Sequence, residues 1–115
     1  MNGQKNVYTG IWGEMQAMRL LKKEGYRILN WRYRGGGGEI DLIARDGQTY
    51  VFVEVKARPA GRLGDGVQAV DQGKRRRIRS AARVYLQKTG QEACNVRFDV
   101  VEITHAGARH MVNAF

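Results

Sequence analysis

The chain has 115 residues, with 20 Lys plus Arg against 11 Asp plus Glu and a formal charge of +9. That length makes residues 1–115 a single domain with a modest core and no need of covalent staples. The charge excludes an acidic or membrane-spanning class: a polyanion is the expected partner, and no apolar run nears the roughly 20 residues of a bilayer span.

Residues 1–8 read as a frayed, polar start without the features of a targeting segment. A helix is expected over 9–24, with Ile11, Met15, Met18 and Leu20 or Leu21 at helical spacing, Thr9 as cap and Gly25 at its end. Glu14 falls on that stripe. It is either a stripe-edge carboxylate turned to water or a functional group facing inward. Glu24, beside Lys22 and Lys23, reads as ordinary solvated surface. Residues 26–33 alternate as a strand, and Arg32 and Arg34 lead into four glycines, Gly35 to Gly38. The plain account of the glycines is a flexible turn between antiparallel strands. The functional one is bare backbone that can approach a phosphate, although no Walker or dinucleotide fingerprint surrounds it.

Residues 39–56 form the centre of the chain, a β-hairpin of two runs rich in apolar and β-branched residues, each expected to be buried on both faces. The first run is Glu39-Ile40-Asp41-Leu42-Ile43-Ala44 and the second Tyr50-Val51-Phe52-Val53-Glu54-Val55-Lys56. A tight turn at Asp46-Gly47 sets Asp41 opposite Phe52, with Glu54 diagonal to Asp41 on the same face. A one-residue slip would send Glu54 to the other face. Carboxylates and an ammonium inside such strands are costly unless paired or bound to metal. The plain account is an edge ion pair between Glu54 and Lys56. With Asp41 at hairpin spacing in a basic domain, the balance moves toward a metal site.

Residues 57–66 read as a loop around Pro59 and three glycines, where Arg58 and Arg62 suit substrate contact. A second helix is expected over 67–88, its stripe running through Val67, Val70, Lys74, Ile78, Ala81 or Ala82, and Tyr85. Lys74, Arg75, Arg76, Arg77 and Arg79 make the densest basic cluster, read as a solvated face or as a phosphate-binding one. The single Cys94 excludes an internal disulfide and a zinc framework, and a reducing cytoplasm fits it. Residues 95–104 alternate as a strand. His105 and His110 have no partner at metal spacing and read as surface residues, and Met111 to Phe115 as a short closing strand.

The resulting order, α-β-β-β-α-β, with Asp41…Glu54-x-Lys56 in its hairpin, resembles the PD-(D/E)xK nuclease superfamily. Residues 38–44, 51–58, Arg97-Phe98-Asp99-Val100-Val101 and the final Asn113-Ala114-Phe115 narrow the resemblance to the bacterial YraN family of predicted endonucleases. That family is similar in layout to archaeal Holliday-junction resolvases. The resemblance implies an α/β, restriction-endonuclease-like αβββαβ core, a mixed sheet flanked by helices. It implies Asp41, Glu54 and the Val55 carbonyl as ligands of Mg²⁺, or of Mn²⁺ in its place, and Glu14 as completing the shell directly or through water. Lys56 would orient the attacking water or stabilise charge on phosphorus. Gln68 is a further candidate, matching a glutamine that some superfamily nucleases place on the next helix. Ile40 stands where the superfamily carries proline.

The chemistry stands beside that resemblance. Phosphodiester hydrolysis calls for a hard, oxygen-ligated cation that neutralises phosphate and acidifies water, and two carboxylates leave positions open for both. An ammonium nearby adds fixed positive charge. The expected function is a metal-dependent endonuclease acting on DNA, branched or structured DNA included, ahead of RNA. Arg34, Arg58, Arg62, Lys74, Arg75 and Arg76 would bind the nucleic acid, and a two-fold homodimer would suit a cut on both strands. The alternatives are a non-catalytic nucleic-acid-binding protein on the same fold, or an RNA-associated factor using the basic helix alone. A membrane partner is not expected.

Overall fold

The computed structural model describes residues 7–63, 70–91 and 94–115. The two apolar runs of the hairpin are β2 (Gly38–Asp46) and β3 (Thr49–Ala57), buried on both faces through their middles. β1 (Arg27–Gly35) lies antiparallel outside β2, β4 (Asn95–Thr104) runs parallel to β3, and β5 (Gly107–Met111) folds back on β4. Spatial order is chain order, β1-β2-β3-β4-β5, so β1 and β5 are the edges. A parallel pair needs a long crossover, and α2 (Gln72–Thr89) lies on the connection from β3 to β4. With α1 (Val7–Lys23) on the other face, the result is a three-layer α/β domain.

Alternation along the central strands feeds two cores. Ile43, Tyr50, Phe52 and Val100 pack with Ile78, Ala81, Ala82, Tyr85 and Leu86 of α2. Leu42, Ala44, Val51, Val53, Val55, Val101 and Ile103 pack with Ala17 and Leu21 of α1. Each central strand therefore has no solvated face, which is why both read as nearly continuous apolar runs.

Several expectations are corrected. Thr9 lies inside α1, and Met15 is 53% exposed. The face that packs is instead Gly10, Gly13, Glu14, Ala17 and Leu21. Small residues win because α1 sits so close to the sheet that a side chain on Gly13 would collide with Ala57. Gly25, at φ +90, closes the helix as expected, with the Tyr26 N–H donating to the Leu21 carbonyl at 2.9 Å. α2 begins at Gln72, capped by the Asp71 carboxylate, which accepts from the Lys74 N–H at 2.8 Å. Val70 precedes that helix although it is buried, and Val67 and Gln68 lie outside the described residues. The closing strand is Gly107–Met111 rather than 111–115. Among the described residues no helix is long and apolar enough to cross a membrane.

Candidate functional site

The hairpin turn is Gly47-Gln48, because Asp46 pairs with Thr49 and is held in the strand by Arg97 at 3.1 Å. This shifts the expected register by two residues, with Ile43 opposite Phe52 and Leu42 opposite Val53. A shift of two preserves the face. The ladder stops at Leu42–Val53, and Ile40 packs with Ile43 in the α2-side core while Leu42 faces α1, so the alternation of β2 breaks at Asp41. Asp41 acts by its charge on Lys74, the ion-pair partner of Glu54. The Asp41 Oδ2 accepts from the Val55 N–H at 2.8 Å. An extended residue directs its N–H and C=O to the same edge, so the Val55 carbonyl faces the Asp41 side as well.

Glu54 is 5% exposed and lies on the α2 face. Lys56, one residue further on that face, approaches its carboxylate at 3.4 Å, and Lys74 of α2 forms an ion pair with the same oxygen. This replaces the edge pair with a buried carboxylate gripped by two ammonium groups. Burial pushes the Lys56 pKa down and neighbouring Lys74 adds to that, with Glu54 only partly opposing. For Lys74 burial also works downward, but the hydrogen bond and charge of Glu54, with Asp41 behind, hold its pKa above the ordinary lysine value. The two amines are thus unequal: Lys74 holds its proton the more tightly.

β1 breaks its alternation beside this point. Trp31 pairs with Leu42 and Tyr33 with Ile40, so Arg32 stands across from Asp41. Trp31 reaches the α1 side, whereas Tyr33, two residues on, packs into the α2 core with Ile40. Two residues of a regular strand share a face; here the Arg32 backbone, at φ +56, reverses it. A non-glycine residue in that region is strained and persists only where its surroundings hold it. Glu14 supplies the hold. Its Oε1 accepts from the Trp31 Nε1–H at 2.7 Å and the Arg32 Nε–H at 2.8 Å. At 3% exposure Glu14 is not the stripe-edge carboxylate turned to water. Among the described residues no three acidic, histidine or cysteine groups gather as a metal cage, so Glu14 is not drawn together with Asp41 and Glu54.

The four glycines form a two-residue turn, Gly36 at φ +57 and Gly37 at φ +80, between β1 and β2. The turn is docked on α2: the Ser80 hydroxyl donates to the Gly36 carbonyl at 2.7 Å, and a side chain on Gly38 would strike the Arg77 carbonyl. Between turn and helix lies a cleft of about 490 Å³ lined by Arg34, Gly35, Gly37, Gly38, Glu39, Lys74, Arg77 and Ile78. Arg34 pairs with Glu39 at 3.5 Å, both largely exposed. Arg76 and Arg77 are exposed on α2, whereas Arg75 is half-buried. Its Nε–H donates to the Val70 carbonyl at 2.8 Å, and its guanidinium lies over Phe115. Arg58 and Arg62 are exposed just after β3, with Arg58 directly following the strand.

A second polar cluster, on the α1 face, escaped sequence reasoning. Asp99 is completely buried and accepts from Arg97 Nε and Nη2 at 2.9 Å each, from the Asn113 N–H at 2.9 Å, and meets His110 Nε2 at 2.6 Å. His110 Nδ1 meets Glu24 at 2.7 Å. His110 and Glu24 are therefore partners, not free surface residues. Asp99 and then Glu24 hold the His110 pKa above its usual value against burial. His105 is exposed, as expected, with its ring against Trp12. The sequence signal for the cluster was present in Arg97-x-Asp99, a like-faced pair in a strand, and needed β5 to place its third member.

The model of the family described as "Uncharacterised protein family UPF0102" matches residues 13–103. A UPF0102 protein of Geobacter metallireducens is 44% identical over 114 residues, covering 96% of this chain and 93% of the relative. One from Klebsiella pneumoniae is 41% identical over 116 residues, covering 99% and 91%. One from Desulfosudis oleivorans is 48% identical over 101 residues, covering 88% and 81%.

Proposed function

This chain belongs to the uncharacterised protein family UPF0102, and from the site on its hairpin we propose that it is a metal-dependent endonuclease hydrolysing DNA phosphodiester bonds. The observation that supports the reading is the convergence of Lys56 and Lys74 on the buried Glu54, with Asp41 bonded to the neighbouring Val55 N–H and Lys74 lining a cationic cleft. A binding protein gains nothing from two acids there, since carboxylates repel phosphate.

The donor set fits a hard divalent cation. Two carboxylates and the Val55 carbonyl are oxygen donors without thiol or imidazole, the preference of Mg²⁺ and Mn²⁺ rather than zinc. The buried acid already attracts positive charge, since two ammonium groups of the chain converge on it. Asp41, Glu54 and Val55 would hold the ion, which supplies Lewis acidity and a more acidic water. The chain's own residues do the rest. Lys56, with its pKa pushed down by burial, orients the attacking water and places charge where phosphorane oxygens develop it. Lys74, firmly protonated, faces the phosphate from α2, and Arg34 and Arg77 draw the flanking backbone into the cleft. The exposed Arg58 and Arg76 extend the same positive surface.

The test is incubation of the purified chain with linear, flapped and four-way DNA in Mg²⁺, Mn²⁺ or EDTA. Nicking should require the metal, and Asp41→Asn or Glu54→Gln should slow it by about a hundredfold or more while the fold is kept. A variant that cuts as fast as wild type rejects the assignment. A second reading, DNA binding without cleavage, has one observation in its favour: Lys56 and Lys74 already neutralise Glu54. It is the outcome if DNA is bound but never cut.

A further inference from the structure

We propose that Trp31 and Arg32 form a platform for an unpaired nucleobase and its phosphate, oriented by Glu14. Single-stranded or branch-point nucleic acid would then be the preferred ligand. The inference rests on the reading above only in taking nucleic acid as the ligand; it does not require cleavage.

Trp31 is 47% exposed on edge strand β1, although tryptophan is normally among the more buried residues. Its indole is nonetheless fixed, because its one donor is bonded to Glu14 at 2.7 Å. The Arg32 guanidinium lies 5.0 Å from the indole centroid and is 42% exposed, so the pair presents a ring beside a cation to solvent. One Glu14 oxygen holds both groups, and Glu14 is buried. This is a built arrangement: an inward carboxylate on α1, a strained left-handed backbone at Arg32, and two outward side chains locked in one geometry. Stability alone does not require it, since a glycine would adopt the Arg32 backbone freely and a smaller residue would leave less apolar surface in water. A fixed, exposed aromatic face next to a guanidinium is the chemistry that stacks a base and holds its phosphate, and it favours bases free of a helix.

The position is consistent with this use. Trp31 pairs with Leu42, the neighbour of Asp41, and Arg32 lies across from Asp41 itself. The Trp31 and Arg32 side chains both reach the α1 side, whereas Glu54, Lys56 and Lys74 meet on the α2 face, so a strand whose base rests on Trp31 reaches the site by passing around the β1 edge. Base pairs of an intact duplex keep their faces stacked on one another and cannot use the indole, whereas a strand opened at a junction can.

The test uses the whole chain with Trp12→Phe, which leaves Trp31 as the only tryptophan. In EDTA, an oligo-dT strand of about 12 nucleotides should quench the indole emission on binding. Trp31→Ala should lower single-strand affinity relative to duplex affinity by about tenfold or more, whereas Trp31→Phe, which keeps an aromatic face, should retain most of that ratio. Glu14→Gln, which keeps an acceptor for the indole but loses its charge, should free Arg32 and reduce the salt dependence of binding. Unchanged emission, an unchanged affinity ratio in Trp31→Ala, or no binding of single strands overturns the proposal. Failure of wild type to cut DNA in Mg²⁺ would reject the nuclease reading while leaving these binding results to stand.

Discussion

Replacing Arg97 by methionine isolates the cluster on the face away from the proposed site. The Arg97 side chain, 17% exposed, gives two bonds to the fully buried Asp99 carboxylate and a third to Asp46. Removing it leaves a buried charge with only His110 and the Asn113 N–H as partners. Breaking a buried pair from one side costs about 3–5 kcal/mol, and the two surviving partners put the expectation near the lower end, about 3 kcal/mol. Unfolding entropy is about 2.1 cal/mol/K per residue, which for 115 residues is about 0.24 kcal/mol/K, so the melting temperature should fall by about 12 °C. That is a large share of an ordinary domain's roughly 5–15 kcal/mol, yet the variant should still fold. Thermal melts and urea titrations followed by circular dichroism at neutral pH give both quantities. Adding Asp99→Asn to Arg97→Met removes the stranded charge and should recover part of the loss. A fall of less than about 1 kcal/mol in Arg97→Met, or a double variant that costs the sum of the singles, would refute the account.

His110 gives a pH signature in the same cluster. Its folded pKa is raised, so its contribution is complete below the ordinary histidine value of about 6.5 and is lost as pH climbs through the raised value. The stability gap between wild type and His110→Asn should therefore narrow as pH rises from below that value into the alkaline range; a widening gap refutes it. On α2, replacing the exposed Arg76 and Arg77 should flatten the log–log dependence of duplex affinity on salt by about 0.9 per lost contact. Arg75→Ala should instead lower the melting temperature with little change in slope, because Arg75 is engaged with Val70 and Phe115. Equal slopes for all three variants would return the helix to a solvated face.

What could be read from the sequence followed the range of the interactions. Strand identity in β2 and β3 rests on composition, and the faces of Leu42 to Ala44 and of Val51 to Val53 survived a wrong turn because the error was two residues rather than one. The register itself depended on Asp46, which Arg97, distant in the chain, holds inside the strand instead of leaving it in the turn. The orientation of α1 was misjudged for a related reason. Hydrophobic periodicity favoured Met15, but the close approach of helix and sheet at Gly13 and Ala57 rewards absence of a side chain, which no hydrophobic pattern reports. Lys74 was correctly placed near the buried face, yet its partner Glu54 lies 20 residues earlier, and only the crossover brings the two together.

The same packing explains how a buried acid can stand in a largely apolar sheet. A carboxylate buried as Glu54 is would be costly unless positive charge met it. The sheet ladder ends at Leu42–Val53, one residue short of Asp41 and Glu54, and Asp41 turns to the Val55 N–H instead of completing a strand bond. Lys74 arrives from α2 and Lys56 from β3, so the folded chain carries its own counter-charge to Glu54. Charge balance at this end of the hairpin thus ties the docking of α2 to the state of the site. The glycine turn has the same dependence, because Gly36 and Gly38 seat against Ser80 and Arg77 of that helix. A single helix therefore shapes the cleft, supplies Lys74 and Arg77 to it and meets the buried Glu54.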